Sequence, residues 1–454
     1  MSESGLLPSD RTVSFELDGK RLEGRAGDTV ASALLRAGVT TFTRSIKYHR
    51  PRGPFCFAGS CGQCLMRVDG VQSLPACRVP LAEGMRCERQ NAPFGMDADL
   101  LRAADFLFPR HLDHHHLMVR SRLAGRVALE VARRLAGLGE LPDDVRPPTP
   151  GGMTQAGIVV IGGGPAGIAA AGAAAASGAR VLLLERDTQL GGAALLGIER
   201  EGPDAAWVER QRAHLSGVEI ALDAEAIGVY PNDSASKARG PALLAVRRRA
   251  ALTAVVADRV IVATGGVSQP LPFPGVDRPG VYAARGLLGL ALRTGLLVGE
   301  KLCVVGEGGE LLDCARALRR AGYRLARVVD ASGAWPRPSG EPVPEAADDL
   351  PLLRARELRA RGRPVREMRA GEEAIACDAV AVALPPAPLH ELASAAGATA
   401  RFRAELNGFA VQVDAAGHTS VPWLFAAGRV AGVPAVASGA AAGAAAARSL
   451  QVDR

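Results

Sequence analysis

The 454-residue sequence predicts an α/β protein in which two Rossmann-type domains follow a small β-grasp domain. Three observations predict it. The stretch from Ile158 to Glu185, IVVIGGGPAGIAAAGAAAASGARVLLLE, reads as strand, glycine turn, helix and strand. A second such unit, KLCVVGEGGELLDCARAL, begins at Lys301. Ahead of both lie a hairpin pattern, a short helix and a loop rich in Gly, Pro and Cys.

In the first unit Gly162, Gly164 and Gly167 form G-x-G-x-x-G, with Pro165 and Ala166 between the last two. The first glycine permits the turn, the second lets a pyrophosphate approach the backbone, and the third lets helix and strand pack closely. The helix N-terminus then presents its positive end to the phosphates. Glu185, followed by Arg186, ends the second strand, where a carboxylate takes the ribose hydroxyls of an adenosine. Gly191 and Gly192 come next, as close backbone approach to a flavin requires, and VIVATGG puts Thr264 and Gly265 at a later strand end. These residues make FAD the expected ligand, and another adenine nucleotide stays open.

The bulk properties narrow the class. The chain suggests two to three domains; 48% of it is hydrophobic and 22% charged, enough to bury a large core. Net charge is +7, yet all but four of the 54 basic residues are arginine, which reads as base-composition bias in an alanine-rich chain. No basic run is long enough for a phosphate-binding tract and aromatics are only 4%, so no nucleic-acid partner is expected. MSESGLLPSDRT lacks the apolar core of a signal peptide. The uncharged run from Met153 to Ala179 and the alanine-rich run from Val430 to Ala447 read as buried elements rather than membrane spans, because of their glycines. A cytoplasmic protein is expected, its eight cysteines being metal ligands or buried thiols rather than disulfides.

Taken in order, residues 11–25 read as a hairpin turning at Asp18-Gly19, and residues 28–37 as a helix opened by Asp28-Thr29. The loop RSIKYHRPRGPFCFAGSCGQC follows, then strands in LMRVDG and MRCERQ. Cys56, Cys61, Cys64 and Cys77 are spaced C-x4-C-x2-C with a fourth cysteine after twelve intervening residues. That spacing matches a [2Fe–2S] site in a ferredoxin-like β-grasp domain. Gly59 and Gly62 leave room for N–H groups beside the sulfurs. Zinc is the alternative, but its motifs come as two spaced pairs. Cys87, Cys303, Cys314 and Cys377 are isolated and read as buried thiols. His111, His114, His115 and His116 read as a polar surface turn, and a helical pattern runs from about Arg120 to Leu138 before a linker from Leu141 to Gly152. Strand-like runs at 242–249 and 252–262 follow the first unit. In the second unit Gly306 and Gly308 match the fingerprint, but Leu311 stands at the third glycine, where it pushes helix from strand. Asp330 is the candidate acid. This fold reads as one that has lost its nucleotide. The close, VPWLFAAGRVAGVPAVASGAAAGAAAARSL, reads as a strand, a glycine turn at Gly428 and a small-residue helix.

GGGPAG, VLLLE, ATGG and LFAAGR, in that order, resemble a two-dinucleotide-fold flavoprotein of the glutathione-reductase type. RSIKYHRPRG with the cysteine loop resembles the α-subunit family of heteromeric amine and amino-acid dehydrogenases. That family includes sarcosine oxidase, opine oxidase, hydroxyproline and proline dehydrogenases, and hydrogen cyanide synthase. The four cysteines place the chain nearer opine oxidase and cyanide synthase, since sarcosine oxidase α subunits generally lack them. The family's A-x-G-D, whose aspartate holds the flavin's ribityl chain, is here Ala426-Ala427-Gly428-Arg429.

The resemblance implies five segments: a [2Fe–2S] domain at 1–92, a connector at 93–153, the FAD fold at 154–276 and 386–454, and a degenerate NAD(P)-like fold at 277–385. It implies a flavin-bearing, amino-acid-oxidase-like catalytic partner, leaves room for further small subunits, and leaves room for an FMN at a subunit interface. Two other functions stay open: a self-contained NAD(P)H-dependent reductase, and a structural subunit holding a non-redox adenine nucleotide.

Overall fold

The computed structural model describes residues 11–45, 50–91, 149–198, 202–232, 240–248, 251–333 and 349–452. The middle of RSIKYHRPRG, the histidine cluster and the 120–138 helical pattern lie outside these residues.

Strands β1 (Thr12–Leu17) and β2 (Lys20–Arg25) pair antiparallel around Asp18 and Gly19, whose φ values of 49° and 76° suit a type I′ turn. The alternation in TVSFEL drives Val13, Phe15 and Leu17 into the core. Helix α1 (Val30–Arg36) opens with a reciprocal cap: Thr29 Oγ1 accepts from the Ser32 N–H, and Ser32 Oγ accepts from the Thr29 N–H. Asp28 is buried beside it and accepts from the Arg25 N–H, Ser32 Oγ and Arg36 Nε. Strands β3 (Leu65–Val68), β4 (Val71–Pro75) and β5 (Arg86–Arg89) complete a five-stranded sheet of order β2-β1-β5-β3-β4.

The first Rossmann fold starts at β6 (Thr149–Ile161), which runs into helix α2 (Pro165–Ala176) and then β7 (Val181–Leu184). Strands β8 (Val218–Ala221), β9 (Ala224–Pro231), β10 (Ala242–Arg248) and β11 (Ala251–Val262) follow. The sheet order is β8-β7-β6-β11-β10-β9, with β8, β7, β6 and β11 parallel and β11, β10 and β9 an antiparallel meander. Strand β6 begins inside the expected linker. Thr149 and Pro150 pair with Ala251 and Leu252, and Gly151 fits there because a Cβ would stand 2.1 Å from Thr253 Oγ1. Cross-strand pairing overrides the loop-like composition of TPGG.

The second fold comprises β12 (Val281–Ala283), α3 (Ala284–Thr294), β13 (Leu302–Gly306), α4 (Gly308–Arg320), β14 (Leu325–Asp330), β15 (Leu352–Arg354) and β19 (Ala379–Ala383). Its five strands are parallel in the order β12-β19-β13-β14-β15. Before β19 comes a three-stranded antiparallel sheet of β16 (Leu358–Gly362), β17 (Val365–Ala370) and β18 (Glu373–Ala376). The chain then returns to the first sheet through β20 (Leu424–Ala426), parallel to β11, and closes with helix α5 (Ala435–Val452).

Helices α2 and α5 cross at small residues. A Cβ at Gly439 would stand 2.2 Å from the Ala166 carbonyl oxygen, and one at Gly443 2.2 Å from that of Ala170. The two alanine- and glycine-rich runs are therefore a close helix pair. Among the described residues no helix is long and apolar enough to cross a membrane.

The chain divides into two compact units. One joins the N-terminal sheet to the second Rossmann fold, within Pro270–Ala383; the other joins the first Rossmann fold, to Gln269, with the segment from Leu384 onward.

Candidate functional site: a dinucleotide cradle and a four-cysteine loop

Three glycines of the first fold have three different surroundings. Gly162 has a φ of 106°, and a Cβ on it would meet the Ala263 carbonyl oxygen at 2.5 Å. A Cβ on Gly167 would stand 1.7 Å from the Gly162 carbonyl oxygen, so only glycine lets α2 lie on the strand end. Gly164 caps α2 with Pro165 at its first turn; an added Cβ there meets nothing within 4 Å. Open space therefore lies over the helix N-terminus, where donors and dipole favour an anion.

Glu185 closes this cradle from the end of β7. Its Oε2 accepts from the Gly163 N–H at 2.6 Å, and its Oε1 accepts from the Asp187 N–H at 2.8 Å. Burial raises the carboxyl's pKa above its ordinary value, against those two donors. Arg186 follows, half-buried. The Gly191 N–H donates to the Gly163 carbonyl at 2.8 Å, and a Cβ on Gly192 would lie 3.1 Å from Gly164 Cα. Gly162, Gly164, Glu185, Gly191 and Gly192 thus meet in one place. Leu190 joins them: a Cβ on Gly163 would stand 2.4 Å from its Cδ2. Only its position beside Gly191 hinted at this in the sequence.

Ala166 links the cradle to the C-terminal turn, since a Cβ on Gly428 would come 2.7 Å from Ala166 Cβ. The Gly428 N–H donates to Ser438 Oγ at 2.9 Å, a contact that sequence reading missed. Thr264 Oγ1 donates to the Leu389 carbonyl, and the Leu389 N–H donates to the Gly265 carbonyl. Thr264 and Gly265 therefore hold the returning segment. Arg429 donates through Nε and Nη2 to the Pro386 carbonyl at 2.8 and 2.5 Å. Its guanidinium ties the turn to that same segment. The glycine cradle and Glu185 fit the pyrophosphate and ribose of FAD.

In the other unit the four cysteines converge. The Cys56 thiol is held well below its ordinary pKa, chiefly because the Cys61 and then the Cys77 side chain donate to it. Cys64 is lowered in the same way by Cys77, and Cys61 and Cys77 are pushed up. Four sulfurs sharing protons are a donor set that metal can take over. Cys56, Cys64 and Cys77 are buried and Cys61 half-exposed, with the Ala58 N–H donating to Cys56 Sγ at 3.4 Å. A binuclear iron cluster takes two thiolates per iron, and here four thiols on one loop and the turn after it share protons. The set fits a [2Fe–2S] cluster. Cys87, Cys303, Cys314 and Cys377 are buried away from it; burial pushes Cys87 and Cys377 up to about 12.

At the matching turn of the second fold, Gly306 fits where a Cβ would strike the Ala383 carbonyl oxygen at 2.0 Å. Leu311 is fully buried. Two acidic residues, missed as a feature of the sequence, stand at this helix N-terminus: Glu307 at the N-cap position, without a side-chain capping bond, and Glu310 in the first turn. Glu310 forms a buried bidentate pair with Arg285 at 2.7 and 3.0 Å, and Cys314 Sγ donates to it. Asp330 accepts from the Ser332 N–H and Oγ. Acidic residues at the N-cap and in the first turn put negative charge at the helix end that phosphates would approach.

Residues 156–444 match the pyridine nucleotide-disulphide oxidoreductase model, and residues 10–92 match the 2Fe-2S iron-sulfur cluster binding domain. The α subunit of sarcosine oxidase from Rhizobium meliloti is 29% identical over 73% of this chain and 35% of its own length. An opine oxidase subunit from the same organism is 30% identical over 39% of this chain and 39% of its own. The chain thus spans little more than a third of the curated relatives it matches. An L-proline dehydrogenase from P. horikoshii shares the fold, at 21% identity and a TM-score of 0.68 over 99% of this chain and 75% of that one. This chain belongs to the pyridine nucleotide-disulphide oxidoreductase family and carries a [2Fe–2S] domain ahead of its FAD-type fold.

Proposed function

We propose that this chain is the electron-transferring subunit of a flavin-dependent amine or amino-acid dehydrogenase or oxidase. A flavin-bearing partner of the amino-acid-oxidase type would oxidise the C–N bond, and this chain would be inactive without it. The observation that carries the reading is the pairing of a dinucleotide cradle and a four-thiol loop in one chain with a second Rossmann turn that has Leu311 at the third fingerprint position and two acidic residues at its helix end. Electrons would then have two cofactors to pass through, and Leu311 with the acidic helix end makes the second fold unsuited to supplying them from a nicotinamide nucleotide. The names of the relatives, subunits of sarcosine and opine oxidases, support the same reading.

When bound, a flavin exchanges electrons in pairs or singly and an iron–sulfur cluster exchanges them singly. The chain's residues do the holding. Gly164 and the α2 N-terminus would take the pyrophosphate, and Glu185 the adenosine ribose. Cys56, Cys61, Cys64 and Cys77 would supply the four thiolates. The half-exposed Cys61 lies on the open side of its loop, beside exposed Gly59, Ser60 and Gly62, which makes it the side for electron entry or exit.

The chain is expressed alone and together with its genomic neighbours. Substrate-dependent dye reduction should require both, and the isolated chain should still contain iron and flavin. Oxidation of an amino acid by the isolated chain at the rate of the mixture would refute the reading. Bleaching by NADH within seconds would instead favour a reductase.

A further inference from the structure

Within the first unit, the cluster loop does not rest on its own domain alone. Residues Phe55, Cys56 and Phe57 run along helix α3 of the second Rossmann fold. The Ala283 N–H donates to the Phe55 carbonyl at 2.9 Å. A Cβ on Gly286 would stand 2.8 Å from the Cys56 carbonyl oxygen, so this helix position is glycine because the loop backbone passes over it. Arg293 Nη2 donates to the Phe57 carbonyl at 3.0 Å. A Cβ on Gly289, one turn back, would be 3.0 Å from that guanidinium. Gly286, Gly289 and Arg293 follow one another at i, i+3 and i+7, on one face of α3.

Phe57 is the unusual residue in this contact. It is buried, bulky and has a φ of 50°, a conformation that costs a side chain strain and persists only where neighbours fix it. Two groups of the second fold fix it: Arg293 on its carbonyl, and Tyr282, whose ring centroid lies 5.8 Å from that of Phe57. The left-handed turn at Phe57 has a chemical result. It brings the Ala58 N–H back onto Cys56 Sγ. A hydrogen bond to a cluster sulfur stabilises the state that carries one more electron, and so raises the potential.

We propose that Arg293 is a positioning residue for the iron–sulfur site: by holding the strained Phe57 turn it keeps the Ala58 N–H on Cys56 Sγ and raises the cluster's reduction potential. The second fold then serves as the base of the cluster loop. This rests on the four cysteines being the ligands, which the iron and sulfide content of the unaltered protein checks separately.

The test uses the full chain with its cluster. Reduction is followed by circular dichroism in a dye-mediated dithionite titration, and iron is counted in each variant. Arg293→Met should retain two irons but lower the midpoint. At the potential where the unaltered protein is half reduced, its reduced-to-oxidised ratio should fall about threefold to tenfold, the worth of one hydrogen bond. Arg293→Lys, which keeps a charged donor, should recover most of that ratio. An iron-replete Arg293→Met protein with an unchanged midpoint overturns the proposal. If the Met variant comes out without iron, the Lys variant decides: a full cluster with most of the unaltered protein's reduced-to-oxidised ratio supports the role, and a ratio lowered about threefold or more, or an iron-free protein, overturns it.

Discussion

Gly164 and Gly167 stand three residues apart in one motif, yet alanine at each should have different effects. At Gly164 the backbone has a φ of −77°, open to any residue, and an added methyl meets nothing within 4 Å. Gly164→Ala should therefore change the stability of the nucleotide-free protein by less than about 1 kcal/mol, because the restricted unfolded chain and the poorer N-cap offset each other. The same methyl stands where a pyrophosphate approaches, so bound FAD should fall severalfold or vanish. At Gly167 the methyl would lie 1.7 Å from the Gly162 carbonyl oxygen, and a normal contact needs roughly twice that separation. Gly162 cannot yield freely, because its own Cβ position is closed by Ala263. Gly167→Ala should cost about 1–3 kcal/mol or more by overpacking, with or without nucleotide. The assay is urea unfolding of flavin-depleted protein, with the flavin-to-protein ratio measured on protein as isolated. A Gly164→Ala protein carrying full FAD would refute the assignment of this glycine to the ligand. A Gly164→Ala protein destabilised by more than the Gly167 variant would refute the packing argument itself.

Cys61→Ser should remove most of the iron–sulfur absorbance and the reduced-state paramagnetic signal; two irons at full occupancy in a Cys61→Ala Cys64→Ala protein would sink the ligand set. NADH and NADPH should leave flavin and cluster oxidised on anaerobic mixing. The carboxylates behind that expectation are also structural: Glu310→Ala strands the buried Arg285 and should cost about 3–5 kcal/mol in urea unfolding, whereas an unchanged midpoint would show that the pair is not formed. Stability should also depend on pH through Glu185. Its folded pKa is raised, so its contribution is fully present below the ordinary carboxylate value and is lost as pH rises through the raised one. Flavin-depleted protein should therefore lose stability over that range relative to Glu185→Gln, and parallel pH profiles of the two would contradict it.

The parts of the fold that announced themselves were local. Asp18-Gly19 needs positive φ and has it, Thr29 and Ser32 form the cap their spacing permits, and the glycine fingerprint makes the turn it encodes. The three-stranded sheet at 358–376 went unread although LRARG alternates buried Leu358 and Ala360 with exposed arginines; its strands of four to six residues are too short for that alternation to stand out. The cradle's chemistry was legible as a motif, but Leu190 over Gly163 and Ser438 under Gly428 are contacts set by how each turn folds back. Nothing in spacing reports them. Among the cysteines, spacing separated the converging four from the buried rest, whereas the anchoring of their loop on α3 depends on a contact across more than two hundred residues.

Glycines show the limit most directly. Gly286, Gly289, Gly439 and Gly443 all sit inside helices, where glycine costs about 1 kcal/mol relative to alanine. A sequence reads each as a weak point. In the structure each faces a backbone carbonyl or a guanidinium that a methyl would displace. Gly286 faces the Cys56 carbonyl, and Gly439 faces that of Ala166, which opens the nucleotide-binding helix. The helix cost is thus borne at the two places where a cofactor-bearing segment is held from behind. Leu311 fits the same account from the other direction. It fills the core where the first fold has its third glycine, and Glu307 and Glu310 stand at the N-terminal end of the same helix. The second fold keeps its five parallel strands because they bury one another, and α3 beside them is left to carry the cysteine loop.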